Sequence, residues 1–327
     1  MRILQSFDEL SRELDGRKTC LTIGAFDGVH LGHQLLVQET IAQATALGVA
    51  SVVITFKNHP LSVLAPPYTP RSLTTFERKC QLIAALGVDY ILALEFTEEF
   101  AAVDAEDFLQ NCLVKQSNVA GIVCGYDFTF GRQGKGNVEL LREWQARLGY
   151  VVHELQPVST ENRLVKSTQI RDLLYAGHVA DAAVLLSRPH EVPGTVQHGA
   201  KRGRTIGVPT ANLQPPARYL VPKRGVYLCA GRVENDERLY AAMVNIGTNP
   251  TFGENEQTVE AHLLGFDREI YGHGVALYFL ERLRDERPFP NVEALVSQLT
   301  SDRQQSETLW ESAAIQQAVA KVPVGLS

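Results

Sequence analysis

The first half of the chain alternates short apolar, β-branched runs with amphipathic runs, and this alternation constrains the fold more than any other feature. Strands are predicted at Cys20–Ile23, Val49–Phe56, Tyr90–Leu94, Val119–Cys124 and Tyr150–Val152, and helices at Leu35–Leu47, Phe76–Leu86, Ala105–Val114 and Val138–Leu148. Such alternation predicts a doubly wound parallel sheet with helices on both faces. Ligands of these sheets bind beyond the carboxyl ends of the strands. We therefore expect the loops Gly24–His33, Thr55–Pro60 and Gly125–Asn137 to converge.

The pattern changes after about residue 186. Two short helices, Thr168–Ala176 and Val179–Leu186, are expected to close a first domain, and the polar, proline-containing Ser187–Gly194 is expected to join it to a second. Short extended runs then follow, at Gly194–Gln197, Gly225–Val233, Leu239–Ile246, Val259–Leu264 and Val275–Leu283. Their glycine and proline turns indicate an antiparallel barrel or sandwich, and Val292–Leu299 and Asp302–Ala320 are helical in pattern. The predicted domains are residues 1–186 and 187–327.

Composition limits the classes of partner and the compartment. The 327 residues suffice for two domains, and a net charge of −6 provides no electrostatic footprint for nucleic acid or an anionic membrane. No secretory h-region follows Met1, and no run approaches the ~18 apolar residues of a membrane span. Five cysteines, an odd number, lie among apolar residues, which favours buried reduced thiols over disulfides. A cytoplasmic protein that binds small molecules is expected.

The string Gly24–His33 lies at a strand-to-helix turn, where free N–H groups and the helix dipole favour an anion. Gly24, Gly28 and Gly32 allow close approach of a ligand or a positive φ. His30 and His33 are three residues apart, so they share one helix face if the helix begins near Val29.

Two other interpretations of this histidine pair stay open. A histidine near a helix start is often a satisfied structural residue, and an HxxH pair can be two ligands of a metal. A zinc site needs a third ligand, and the chain contains no CxxC or HExxH spacing. A Walker A loop and a GxGxxG after a strand are also absent. The residues favour a nucleotide-phosphate site.

HxGH is the signature of the nucleotidyltransferase superfamily, and the longer GAFDGVHLGH closely resembles the prokaryotic bifunctional riboflavin kinase/FMN adenylyltransferase family, also called FAD synthetases. The resemblance covers about Gly16 to Leu309, with motifs in family order. It implies an N-terminal nucleotidyltransferase domain and a C-terminal antiparallel β-barrel kinase domain with a terminal helix. In the first domain it implies that His30 and His33 are catalytic and that ATP is bound by Gly24, Phe26, Asp27 and Gly32.

Two more loops of the first domain resemble family segments. Thr55–Pro60 resembles the second loop, where Phe56 is expected to contact flavin, although a simple turn explains its residue types. Gly125–Arg132 resembles GxDFxFG, which implies that Phe128 and Phe130 bind flavin and that Asp127 acts in the active site. Burial of both aromatic rings in a core is an equal alternative. Asn137 stands where the family often has an acid.

Lys166–Arg171 resembles the superfamily signature SSTxIR, which implies that Ser167, Thr168 and Arg171 bind ATP phosphates. Capping of the following helix by Ser167 or Thr168 explains the hydroxyls equally well. Lys166 replaces the usual first serine.

In the second domain, a basic, glycine-rich loop runs into Pro209-Thr210-Ala211-Asn212. Such a loop suits a triphosphate and its metal, although a basic turn before a strand is the alternative. The string closely matches riboflavin kinases and their PTAN motif. The match implies ATP binding by Gly199, Lys201, Gly203, Arg204 and Pro209, and Mg²⁺ binding by Thr210 and Asn212.

Glu260, on a predicted strand, is the expected general base for the riboflavin 5′-hydroxyl, against the alternative of a solvent-facing glutamate. His262 shares its strand face but is given no role. Phe289 is expected to flank the flavin ring.

The sequence thus predicts an enzyme that phosphorylates riboflavin to FMN in its second domain and adenylylates FMN to FAD, with release of pyrophosphate, in its first. Both reactions are expected to use ATP and Mg²⁺. Two alternatives stay open, a nucleotidyltransferase with another phosphorylated acceptor and a ligand sensor without turnover. The sequence does not indicate an oligomeric partner.

Overall fold

A computed structural model of the chain describes residues 1–160, 163–198, 209–248 and 257–325. Its contacts divide the chain into two compact units. The first contains Met1–Pro70 and Phe76–Val165, and the second contains Arg71–Thr75 and Lys166–Ser327. The predicted boundary between residues 186 and 187 lies inside the second unit, and the division into domains at that point stays a prediction.

The first unit contains a six-stranded sheet and two small hairpins. Its strands are β1 (Arg2–Leu4), β2 (Thr19–Ile23), β3 (Ala50–Phe56), β4 (Tyr90–Leu94), β5 (Val119–Gly125), β6 (Thr129–Phe130), β7 (Gly136–Asn137), β8 (Val151–Leu155), β9 (Ser159–Thr160) and β10 (Arg163–Leu164). The sheet has the order β1-β4-β3-β2-β5-β8, and every neighbouring pair is parallel. The chain turns outward in opposite directions from β2 and β5, so their carboxyl ends flank the crevice where ligands of such sheets bind.

Helices cover both faces of this sheet. They are α1 (Phe7–Leu14), α2 (Leu31–Leu47), α3 (Leu61–Leu64), α4 (Phe76–Ala84), α5 (Glu98–Ala101), α6 (Ala105–Asp107), which continues into the π-helical Phe108–Gln116, and α7 (Val138–Leu148). Alternate residues of β3 point to different cores: Val53 packs with α2 and α4, whereas Val52 and Ile54 pack with α1 and α7. The predicted doubly wound parallel sheet is confirmed. The sequence analysis missed β1 and α1.

The second unit contains a closed antiparallel barrel, which decides between the barrel and the sandwich. Its strands are β11 (His190–Gln197), β12 (Ala211–Gln214), β13 (Gly225–Val233), β14 (Leu239–Thr248), β15 (Gln257–Leu263) and β16 (Gly274–Arg284), in the order β11-β12-β15-β14-β13-β16. Helices α8 (Ser167–Ala176) and α9 (Val179–Leu186) precede it, and α10 (Val292–Trp310) and α11 (Ala313–Val319) follow it.

Part of the segment expected to join two domains, Ser187–Gly194, is a strand of the barrel. Residues from His190 to Gly194 pair with β16, and His190 is buried. Pro193 faces Ala276 of β16 across the ladder, but pairing with β12 begins only at Thr195. The proline therefore lies where the strand has one neighbour, a position that tolerates a residue without an N–H.

A short strap, defined as Arg71–Thr75, belongs by its contacts to the second unit although the first unit surrounds it in sequence. Ser72 N–H donates to Arg218 O at 2.9 Å, and Leu220 N–H donates to Ser72 O at 2.9 Å. The Tyr219 hydroxyl lies within hydrogen-bond distance of two carbonyls, Leu73 O of the strap at 3.0 Å and Glu191 O at 2.7 Å, which share its one proton. The strap is thus tied by a two-sided backbone ladder and a side-chain hydrogen bond.

All five cysteines are free thiols, as predicted, and four of them are buried. Burial raises the pKa of Cys20 and Cys124 to about 12, and it also raises the pKa of Cys80, Cys112 and Cys229.

Because the thiolate is the reactive form, these raised pKa values predict slow reaction of the folded protein with Ellman's reagent at pH 8. All five thiols should react promptly in denaturant, and the 412 nm absorbance measures both rates. A native-state cysteine reacting at the rate of free cysteine would contradict the buried placement.

Candidate active sites

The first candidate site lies where β2 leads into α2. His30 is the N-cap of α2, and its Nδ1 accepts a hydrogen bond from the backbone N–H of His33 at 3.3 Å. The two imidazole rings stack with centroids 3.6 Å apart and an interplanar angle of 18°. The prediction that the two histidines share one face at the helix start is confirmed.

The loop between β2 and α2 has a strained backbone. Phe26, Gly28 and Val29 have φ values of +50°, +85° and +39°. A left-handed conformation is costly for a β-branched residue, on the order of 1–3 kcal/mol, and such strain persists only where the surrounding structure holds it. Asp27, a predicted ATP ligand, lies between these residues and is half-buried.

The three glycines of the motif serve different purposes. Only Gly28 has a positive φ. A Cβ at Gly24 would lie 3.1 Å from the Phe26 ring, and a Cβ at Gly32 would lie 3.3 Å from the His30 ring. The Phe26 ring is buried and makes an edge contact with His33, with centroids 5.1 Å apart. Gly24 and Gly32 therefore leave room for the rings that form the site.

The aromatic residues predicted to bind flavin differ in exposure. Phe56 is buried and packs edge-on against Phe96 and Phe100. Phe130 is buried in the same core and stacks on the half-buried Phe128, with centroids 5.6 Å apart. The burial of Phe130 agrees with the alternative of core packing, whereas Phe128 keeps an exposed part; Phe56 is buried as well.

The glycine-rich loop after β5 is a small hairpin formed by β6 and β7. Asp127 lies at its start and is exposed. The Arg132 guanidinium is paired with Asp104 at 2.8 Å. Asn137, where the family often has an acid, caps α7 by accepting from the Leu140 N–H at 2.9 Å. The amide at this position therefore has a structural role.

Lys79 is a buried residue of this site that the sequence analysis missed. It is only 8% exposed, and its Nζ donates to Ala25 O at 3.1 Å and to Phe56 O at 2.5 Å. A lysine in an amphipathic helix is normally expected on the solvent side, so the sequence offers no signal for this placement.

The alternative interpretation of Ser167 and Thr168 as the N-cap of α8 is not supported. Its N-cap is Lys166, and no side chain caps the helix. Ser167 and Thr168 instead occupy the first turn, where Ser167 is half-buried and Thr168 is exposed. Arg171 is buried, and its Nε donates to Arg71 O of the strap at 3.0 Å.

The second candidate site is a cavity of about 320 Å³ at the barrel. Among the predicted residues, Thr210, Glu260 and Phe289 line it together. The other lining residues are Val226, Met243, Val244, Asn245, His262, Arg284, Glu286, Arg287, Leu295, Leu299 and Asp302. Gly199, Lys201, Gly203 and Arg204 lie outside the described residues.

Strand register aligns Glu260 with two asparagines on the neighbouring strands of the barrel. Glu260 on β15 lies directly opposite Asn212 of β12 on one side and Asn245 of β14 on the other. Because directly opposed residues share a sheet face, the three side chains project to the same side. Thr210, just before β12, lines the same cavity as Glu260 and Asn245.

His262 holds the segment that carries the PTAN motif, a function the sequence analysis did not assign. Its Nδ1–H donates to Pro209 O at 2.7 Å. Burial lowers the pKa of His262, partly opposed by this hydrogen bond. The exposed Pro209, a predicted ATP ligand, is thereby fixed next to Thr210.

The opposite wall of the cavity is held by a buried ion pair. The Arg284 guanidinium binds the Asp302 carboxylate with distances of 3.0, 3.0 and 2.7 Å. Gln298 also donates to Asp302, at 2.6 Å. The guanidinium groups of Arg284 and Arg287 lie 5.8 and 5.4 Å from the Phe289 ring centroid. The pair thus fixes α10 and the loop that carries Phe289.

No group of three His, Cys, Asp or Glu residues that could hold a metal occurs in the part of the chain that the structure describes. The zinc interpretation of His30 and His33 therefore gains no third ligand there. The hydroxyl of Thr210, the amide oxygen of Asn212 and the nearby Glu260 carboxylate are hard oxygen donors, which fit Mg²⁺.

Comparisons with known proteins find matches for both halves of the chain. Residues 13–169 match the family model of FAD synthetase, and residues 186–310 match that of riboflavin kinase. The chain is 36% identical to a bifunctional riboflavin kinase/FMN adenylyltransferase of Listeria monocytogenes, over 89% of this chain and 92% of the relative. The relative of the same description from Bacillus subtilis is 35% identical over 88% of this chain and 92% of its own length.

A solved structure has the same fold over most of its length. It is described as a macrolide-efflux protein from Streptococcus pneumoniae, with a TM-score of 0.83, 32% identity, and coverage of 94% of this chain and 99% of that one. In the described part of the present chain, no helix has the length and apolar character to cross a membrane. With both halves matched in order, the chain belongs to the family of bifunctional riboflavin kinase/FMN adenylyltransferases.

Proposed function

We propose that the chain phosphorylates riboflavin to FMN with ATP at the barrel cavity, and that it adenylylates FMN to FAD with a second ATP at the His30–His33 site. The observation that carries the proposal is the convergence of Thr210, Glu260 and Phe289 on one cavity, with Asn212 in register with Glu260. These residues are distant in sequence, and a kinase needs a metal site, a base and an acceptor pocket together.

In the kinase reaction, Glu260 accepts the proton of the riboflavin 5′-hydroxyl as its oxygen attacks the γ-phosphorus of ATP, and ADP leaves. Thr210 and Asn212 are the proposed ligands of Mg²⁺, which neutralises phosphate charge when bound. Phe289, held by the guanidinium groups around it, supplies an aromatic face for the flavin ring.

In the adenylyl transfer, an oxygen of the FMN phosphate attacks the α-phosphorus of ATP, and the bond to the pyrophosphate leaving group breaks. The stacked imidazoles of His30 and His33 are proposed to donate hydrogen bonds to oxygens that gain charge on that phosphorus. Gly24, Phe26, Asp27 and Gly32 form the loop that leads to them. Ser167, Thr168 and Arg171 remain predicted ligands of ATP phosphates, and Asp127 and Phe128 remain predicted active-site residues.

The five unpaired cysteines and the use of ATP support the cytoplasm as the place of action.

One assay tests the two activities and the two alternatives. Purified protein is incubated with riboflavin, ATP and Mg²⁺, in parallel with FMN, ATP and Mg²⁺, and the flavins are separated chromatographically. We expect FAD from both mixtures and none when EDTA removes the metal. If FMN formed but no FAD, the proposed adenylyl transfer at the first site would be wrong. If FAD formed from added FMN but not from riboflavin, the proposed kinase reaction at the second site would be wrong. If no product formed in either mixture, the chain would be a ligand sensor.

Glu260→Gln should lower the rate of FMN formation by about 10²–10⁴, because a general base typically contributes that factor. Conversion of added FMN to FAD should be unchanged. The matched control is Glu237→Gln, on an exposed residue of the β13–β14 turn, which should leave both rates as in the wild type. Loss of both reactions in folded Glu260→Gln would contradict separate sites.

His33→Ala should have the opposite effect and lower FAD formation by about 10²–10³, the typical cost of removing one well-placed donor. Riboflavin phosphorylation should persist. His153→Ala, on β8 of the same sheet, is the control for removing an imidazole from the first unit. If His33→Ala made FAD at the wild-type rate, the proposed catalytic role of this histidine would be wrong.

A further inference from the structure

Lys79 contacts two backbone segments of the adenylyl-transfer site at once. Its Nζ donates to the carbonyl of Ala25, which directly follows Gly24 of the motif, and to the carbonyl of Phe56, the last residue of β3. Strands β2 and β3 are neighbours in the parallel sheet, so one ammonium ties their carboxyl ends together. The Ala25 carbonyl also accepts from the Thr55 hydroxyl at 3.3 Å.

This lysine is held by carbonyl oxygens and not by a carboxylate. It forms no ion pair in the part of the chain that the structure describes, and its side chain lies over the Phe76 ring at 5.7 Å. Burial lowers the pKa of Lys79 to about 8, partly opposed by the attraction of Asp27. Burying a cation is costly unless it is hydrogen-bonded, so the two carbonyl contacts are what holds the ammonium in this place.

The hydrogen bond to Ala25 also fixes the direction of the next N–H. A peptide group is planar and trans, so its C=O and N–H point in opposite directions. With the Ala25 carbonyl directed to Lys79, the Phe26 N–H points to the other side of the peptide. Phe26 has a φ of +50°, and its ring contacts His33. The orientation of that strained residue, and through it of His33, thus depends on the ammonium.

We infer that Lys79 is a positioning residue for the adenylyl transfer, which fixes the loop carrying His30 and His33 relative to the end of β3. The inference rests on the proposed function of that site. Lys79 touches neither substrate nor reacting atoms in this role; it sets the geometry of the groups that do.

The test compares Lys79→Met, Lys79→Gln and Lys79→Arg by steady-state kinetics of FAD formation from FMN and ATP. Methionine fills the space without a donor, glutamine keeps N–H donors without charge, and arginine keeps both. We expect kcat to fall about 10–100-fold in Lys79→Met, because displacing reacting groups by about 1 Å can cost 10²-fold. Lys79→Gln should be intermediate, and Lys79→Arg should restore most of kcat, with KM for ATP changed less than kcat.

Measurements of folding and one control variant separate positioning from a merely structural role. Riboflavin phosphorylation, measured in the same samples, should stay at the wild-type rate and reports that the second unit is folded, while the far-ultraviolet circular dichroism spectrum should match that of the wild type and reports on the first unit as well. The melting temperature of Lys79→Met should be equal to or above that of the wild type, because replacing a buried cation by an apolar side chain is often neutral or stabilising. Lys115→Met, on an exposed lysine of the first unit, controls for the substitution itself.

The inference is overturned if folded Lys79→Met makes FAD within twofold of the wild-type kcat, or if Lys79→Arg is as slow as Lys79→Met. It is also overturned if Lys79→Met and Lys79→Gln both lose riboflavin phosphorylation with FAD formation, which would show a role in folding only. Absence of FAD from the wild type itself would instead contradict the proposed function.

Discussion

The adenylyl-transfer half of the molecule depends on one geometric constraint, that parallel strands bring their carboxyl ends to the same edge of the sheet. Strand β2 is central in the order, with β3 on one side and β5 on the other. The loops that follow these three strands therefore lie along one edge of the sheet. The helix α2 begins at the same edge, so its N-terminus, with His30 as the N-cap, faces the place where an anion is stabilised.

The barrel half uses a different constraint, the register of antiparallel strands. Glu260 is flanked by Asn212 and Asn245 because hydrogen-bonded ladders on both sides of β15 fix which residues are opposite. A slip of one residue would turn all these side chains to the other face. Closing the barrel prevents such a slip at every strand. The wall that carries Phe289 lies outside the barrel. There the ion pair between Arg284 and Asp302 fixes the position of α10, as the hydrogen-bonded ladders fix the strands.

How much of this could be predicted from the sequence depended on the kind of interaction. Strands such as Tyr90–Leu94 and helices such as Val138–Leu148 were predicted with their observed bounds, because apolar periodicity is a local signal. β1 has three residues, too few to show a period. Pro193 has the sequence pattern of a linker residue. The sequence does not show that β11 has a single neighbouring strand at this residue, which is what allows a proline there.

Within the two sites, residues in sequence motifs could be predicted, whereas residues placed only by tertiary contacts could not. The motifs indicated that Thr210, Glu260 and Phe289 belong to one site, but the ion pair of Arg284 and Asp302, two unremarkable surface-type residues 18 apart, could not be predicted. Lys79 is similar, since only tertiary structure brings its ammonium to two strand ends. The aromatic residues show how a local pattern leaves burial open: Phe56 and Phe130 lie in segments that resemble ligand loops, and both are buried in the core.

The strap has a consequence for the time course of synthesis. Leu73 and its partner Tyr219 are 146 residues apart. At the usual ~5–20 residues per second of translation, the strap is synthesised on the order of 10 s before its partners in the loop between β12 and β13. During that interval the backbone groups of Ser72 lack the partners that they have in the folded chain, the Arg218 carbonyl and the Leu220 N–H. The strap can therefore take up its folded contacts only after the second half of the chain has been synthesised.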